Sequence, residues 1–144
     1  DKNNIWIDYA HTPDALSNAL QTLHLHYPES KLRVLFGCGG DRDKSKRQQM
    51  GKIASELAHS IILTNDNPRN EQPENIIKDI LVGEKIENKT QVILDRKIAI
   101  NTAITTLNED EVLLIAGKGH ETTQIIGSQV LPFSDIEIAL DALI

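Results

Sequence analysis

L-R-V-L-F-G-C-G-G-D-R, residues 32–42, passes from a short apolar run into glycines and then into charge. A run this short that breaks at glycine reads as a strand, not a helix. Helical spacing lies on both sides of it. Ala15, Leu16, Ala19, Leu20 and Leu23 precede it, and Met50, Ile53, Ala54 and Leu57 follow, each set marking one apolar face. The same succession recurs along the chain. Short apolar runs at 5–7, 60–63, 92–94 and 112–116 alternate with helical patterns that open at Thr12-Pro13, Pro73-Glu74 and Asp95. Thr12 is a candidate N-cap with Pro13 as first helical residue, and Asp95 a candidate cap for the helix carrying Ile98, Ala99, Thr102 and Ala103. Beyond residue 117 the pattern changes. Residues 123–126, a Gly127-Ser128 turn and residues 129–131 read as a hairpin, and Ser134-Asp135 opens a last helix over 136–144. The expected fold class is α/β: a Rossmann-like, mostly parallel sheet with helices on both faces and a C-terminal β-hairpin, in a single domain over residues 1–144.

Composition bounds the function classes. The chain has 144 residues, enough for one ordinary domain, and aromatics are only 3%, so its core must be aliphatic. A formal net charge of -6 argues against nonspecific binding to nucleic acid or anionic membrane. Cys38 is the one cysteine, which excludes an internal disulfide, and no Cys/His spacing reads as a zinc site. No apolar run is long enough to insert in a membrane and no secretory leader is legible, so the expected location is cytoplasmic. The chain does not begin with Met and reads as a piece of a longer protein.

In parallel α/β sheets ligands bind beyond the carboxyl ends of the strands. Every polar or glycine-rich oddity here follows a strand: 8–11, 37–47, 65–71, 95–96 and 117–121. The chemistry therefore lies along one edge. In G-C-G-G-D-R-D-K-S-K-R, glycines permit close backbone approach, and Arg42, Lys44, Lys46 and Arg47 concentrate positive charge. Cations oppose the helix dipole at a helix start unless an anion is near, which favours anion binding over a merely solvated helix start. No G-x-x-x-x-G-K-[ST] cradle for a triphosphate occurs. In D-N-P-R, Pro68 holds Asn67 extended, Asp66 can accept from an ammonium, and Arg69 can clamp a carboxylate. Ammonium plus carboxylate is an amino acid; a turn closed by its own internal ion pair fits the same residues equally. G-K-G-H-E could offer backbone groups and the Glu121 carboxylate, with His120 more naturally a structural residue than a catalyst. In D-Y-A-H-T-P-D, Asp8 and Tyr9 could meet a nucleotide or simply start a helix.

Taken together, D-Y-A-H-T-P-D-A-L, G-C-G-G-D-R-D-x-x-K-R, D-N-P-R-x-E, Asp95-Arg96 and A-G-K-G-H-E resemble, in order and over essentially the whole chain, the Mur ligases of peptidoglycan synthesis. The resemblance is strongest to members that add meso-2,6-diaminopimelate to UDP-N-acetylmuramoyl-L-alanyl-D-glutamate. It implies the C-terminal domain of a three-domain, ATP-dependent, amide-forming enzyme. ATP and Mg2+ would be bound mainly by a central domain, and the UDP end of the substrate by an N-terminal one. Neither domain is in this chain, so the isolated domain is expected to be inactive. The resemblance further implies that Arg42, Asp66, Asn67, Pro68, Arg69, Gly117 and Glu121 bind diaminopimelate. Asp8, Tyr9 and His11 would lie near the nucleotide. No acid–base catalyst and no metal ligand are assigned to this domain. Replacement of the D-N-P-R arginine in lysine-adding members favours diaminopimelate over lysine. The remaining alternatives are a lysine-adding Mur ligase and a free-standing amino acid- or anion-binding Rossmann domain.

Overall fold

The computed structural model describes residues 4–83 and 89–144. Five strands form one parallel sheet: β1 (Ile5–Asp8), β2 (Lys31–Phe36), β3 (Ser60–Leu63), β4 (Thr90–Val92) and β5 (Glu111–Ala116), in the order β1-β5-β2-β3-β4. Between them run α1 (Pro13–His26), α2 (Ser45–Leu57), α3 (Pro73–Val82) and α4 (Arg96–Thr105). The antiparallel hairpin β6 (Thr123–Ile126) and β7 (Gln129–Pro132) follows, then α5 (Asp135–Ala142).

Crossover handedness explains the layering. From β1 to β4 the chain steps across the sheet in one direction, so right-handed crossovers put α1, α2 and α3 on one face. The return from β4 to β5 reverses direction and puts α4 on the other, where α5 joins it. Strand alternation divides the core accordingly. Leu32, Val34, Phe36, Leu114 and Ala116 pack under α1–α3, whereas Leu35, Leu113 and Ile115 pack under α4 and α5. Phe36 is the one aromatic among the described buried apolar residues, as an aliphatic core requires.

The caps expected from sequence form. Thr12 accepts from Ala15 N (3.2 Å), Asp95 from Ile98 N (3.1 Å) and Ser134 from Glu137 N (3.2 Å). One strand is displaced: the run at 92–94 predicts the fourth strand there, but the ladder occupies Thr90–Val92. β4 is an edge strand paired on one side only, so polar Thr90 and Gln91 serve in it, and Val92 is exposed. Ile93 and Leu94 still exchange single bonds with Leu63 and Asn65 as the chain turns into the Asp95 cap.

β5 lies between β1 and β2, whose following loops turn to the α1–α3 face, while its own loop turns to the hairpin and α5. Loops diverge at that point and leave a cleft at the strands' carboxyl edge.

Candidate functional site: a charged cleft at the sheet edge

A cleft of about 430 Å³ opens there, lined by the loops after β1, β2, β3 and β5. Of the residues expected to bind ligand, Arg42, Asp66, Asn67, Arg69, Gly117 and Glu121 line it together, as do Tyr9 and His11. Pro68 is buried beneath the lining, and the Asp8 side chain faces a different groove, with Trp6 and α1. Asp8 nevertheless shapes the edge: its carbonyl accepts from Gly117 N (3.1 Å). The backbone group that Gly117 retains for a ligand is thus its carbonyl, an acceptor. Gly117 has φ +114, and a Cβ there would stand 2.7 Å from Asp66 Oδ2. Only glycine fits, because both the conformation and the space exclude a side chain.

The D-N-P-R loop is held from both sides. Toward the β2 loop, Gly40 N donates to Asn67 O (2.8 Å) and Arg69 Nη1 donates to Gly40 O (2.8 Å). Toward the hairpin, Arg69 N donates to Ile125 O and Gly127 N to Arg69 O. The Asn67 side chain accepts from Ile125 N (2.9 Å), and Gln124 Nε2 donates to Asp66 O (2.8 Å). These bonds keep Arg69 at φ 52, a left-handed conformation that costs a non-glycine residue on the order of 1 kcal/mol or more. The closed-turn alternative does not form. Among the described residues, neither Arg69 nor Arg42 pairs with a carboxylate. Both guanidinium groups line the cleft with donors to spare; Arg42 Nη1 makes one bond, to its neighbour's carbonyl, Asp41 O.

Three buried cations brace this arrangement from behind. Arg47, taken from sequence as part of the anion-binding cluster, is not presented to the cleft. It is 1% exposed, grips Glu71 through two bonds (2.8 and 3.0 Å) and reaches Asp79 at 2.9 Å. Its place on the inner face of α2 decides this. Arg96 is fully buried against Asp135 (2.7 and 2.8 Å) and donates to Asn65 O and Ala116 O, so it ties the ends of β3 and β5 together. Lys118 is fully buried and donates to Asn67 Oδ1 (2.8 Å) and Thr123 O (2.9 Å). Its partners are far apart in sequence, so the isolated K in G-K-G-H-E carries no signal of this role. His120 is exposed and lies outside the lining.

Hydrogen bonds from Arg47, with a further one from Asp41 N, hold the Glu71 carboxyl down to about 2 from its usual 4.5. A carboxylate depressed in the folded state stabilises it above the unfolded value, and that contribution disappears as pH falls through the folded one. Substituting Glu71→Gln should therefore lower stability by about 1–2 kcal/mol at pH 6, after allowance for solvent screening. Thermal unfolding of parent and variant should converge between about pH 4.5 and 2. A gap that persisted undiminished at pH 2 would refute this linkage.

Cys38 also lines the cleft, 3.7 Å from Met50 Sδ. Burial, reinforced by Asp66, pushes its thiol up to about 12, so it stays protonated and is a poor nucleophile at neutral pH. Among the described residues no cluster of His, Cys, Asp or Glu is arranged to hold a metal ion, and no helix is long and apolar enough to cross a membrane.

The sequence and the fold have clear relatives. Residues 1–119 match the family model described as Mur ligase, glutamate ligase domain. A protein of Coxiella burnetii named UDP-N-acetylmuramoyl-L-alanyl-D-glutamate--2,6-diaminopimelate ligase is 55% identical over 139 residues, covering 96% of this chain and 28% of its own length. One of the same name from Rickettsia montanensis is 51% identical, covering 96% and 29%. A solved structure of an enzyme of that name superimposes with TM-score 0.91 at 41% identity, over 96% of this chain and 28% of its own. Folylpolyglutamate synthases, for example one from Yersinia pestis at TM-score 0.63 and 17% identity, share the fold. The chain thus spans under a third of the length of these curated relatives, and with its five-stranded parallel sheet and loop-lined cleft it belongs to the Mur ligase family.

Proposed function

We propose that this domain is the amino-acid-binding C-terminal part of an ATP-dependent, cytoplasmic ligase that joins meso-2,6-diaminopimelate to UDP-N-acetylmuramoyl-L-alanyl-D-glutamate. The observation that carries the reading is the pair of guanidinium groups with no carboxylate partner among the described residues, Arg42 and Arg69, in one cleft with Asp66 and Glu121. Diaminopimelate has two amino acid centres. One amine attacks an acyl phosphate on the D-glutamate γ-carboxylate; the other centre remains a zwitterion. Its carboxylate suits Arg69 and Arg42, whose planar donors bind carboxylates in pairs. Its ammonium suits Asp66 and Glu121, with the Gly117 carbonyl as a further acceptor. Asn67, whose side-chain oxygen is occupied by Lys118 and Ile125, positions the loop and has its amide nitrogen available.

The chain has neither a triphosphate cradle nor a described cluster of metal-ligating side chains, so ATP and Mg2+ fall mainly to the other two domains of the enzyme. Tyr9 and His11, whose rings pack edge to face at 4.7 Å and line the cleft, would face the nucleotide on closure. This domain contributes position: it presents the reacting amine and excludes water. ADP release by the full-length enzyme, supplied with ATP and the UDP-linked dipeptide, should depend on the amino acid, with a kcat/KM for lysine that is measurable but at least about a hundred-fold below that for diaminopimelate. The isolated domain should release none. Equal turnover with lysine would refute the assignment.

A further inference from the structure

The cleft lining is electrically even: Arg42, Lys46 and Arg69 stand against Asp43, Asp66 and Glu121. One more charge lies directly behind it. Lys118 Nζ is 3.8 Å from Asp66 Oδ1 and 3.6 Å from Glu121 Oε1, besides its bonds to Asn67 Oδ1 and Thr123 O. Four oxygens around one nitrogen, two of them carboxylate, suit an ammonium with three donors and no acceptor. The other charged groups that act on it are Arg96 of α4 and Asp135 of α5, which neutralise each other.

Two carboxylates facing one ligand ammonium would carry a surplus negative charge in a partly buried site. We propose that Lys118 is a positioning residue that serves as the shared internal counter-ion of Asp66 and Glu121, leaving the pair matched to one ligand ammonium and setting the site one unit positive. This rests on the proposed function. Diaminopimelate with its attacking amine unprotonated has two carboxylates and one ammonium, one unit negative. Lysine in the same state has one of each and is neutral. Lys118 thereby favours the reactive form of diaminopimelate over lysine, without touching either.

The test is kinetic, on the full-length enzyme. Lys118→Met should lower kcat/KM for diaminopimelate about a hundred-fold, with KM for ATP unchanged. The lysine reaction should fall about ten-fold less, so discrimination narrows. Glu121→Gln should cost less in the Lys118→Met background than in the parent. Parallel losses with both amino acids would reduce Lys118 to a structural brace, as would loss of the cooperative unfolding transition. Unchanged kinetics would also overturn the proposal. Failure of the parent itself to use diaminopimelate would instead refute the functional reading.

Discussion

Arg69→Ala in the full-length enzyme should lower kcat/KM for diaminopimelate by about a hundred- to a thousand-fold, mostly through KM, because truncating one partner of a desolvated charge pair costs roughly 2–5 kcal/mol. KM for ATP and for the UDP-linked dipeptide should change by less than about three-fold, as neither is read by this residue. Two features keep the experiment interpretable. The backbone bonds from residue 69 to Ile125 and Gly127 do not depend on the side chain, so the loop stays docked on the hairpin. Arg69→Lys keeps the charge but loses the planar fork, and should recover only part of the loss. Lysine as amino acid should suffer little from Arg69→Ala, because it lacks the carboxylate that Arg69 is proposed to bind. An equal loss with both amino acids would assign Arg69 to loop structure alone, through its bond to Gly40 O.

The largest stability effect belongs to Arg96 and Asp135, neither of them exposed. Asp135→Ala strands a buried guanidinium and should cost about 3–5 kcal/mol. In a domain of this size that lowers the thermal midpoint by roughly 10–15 °C. Arg96 would keep its bonds to Asn65 O and Ala116 O, but those acceptors do not neutralise it. Replacing both residues together with apolar ones of similar volume should recover much of the loss, since a buried pair is weakly stabilising relative to packed hydrophobic groups. A loss below about 1 kcal/mol for Asp135→Ala would show that water or a rearranged neighbour compensates Arg96. The consequence for function is positional: in the double variant, which removes Arg96, the β3 and β5 ends that carry Asp66 and Gly117 lose the bonds that tie them to each other.

The two periodicities made most of the fold legible. Leu32, Val34 and Phe36 alternate with Leu35 across the sheet, and Leu16, Leu20 and Leu23 recur at helical spacing, so both layers were readable before any contact was known. The cleft was legible because glycine and charge collect after strands, and a parallel sheet brings those loops to one edge. Charge direction was not legible. Arg42 and Arg47 stand five positions apart in one basic run, yet one lines the cleft and the other is buried on Glu71 and Asp79. Helical phase and the packing of α2 on α3 decide that, and a list of charges does not contain it. Lys118 and Arg96 were hidden for a similar reason. Their partners Asn67 and Asp135 lie 51 and 39 positions away. Edge strand β4 was placed two residues late, at 92–94, because one-sided pairing tolerates polar residues such as Thr90 and Gln91 that a buried strand would not.

The central claim is that the cleft reads the non-reacting centre of diaminopimelate. A structure of the full-length enzyme with that amino acid bound tests it most directly. The account predicts one carboxylate of the ligand at hydrogen-bond distance, about 3 Å, from the guanidinium of Arg69 with Arg42 beside it. It predicts the adjacent ammonium against Asp66, Glu121 and the Gly117 carbonyl, and the second amine pointing out of the cleft toward the rest of the enzyme. A ligand bound elsewhere, or one with its ammonium against the arginines, would contradict it.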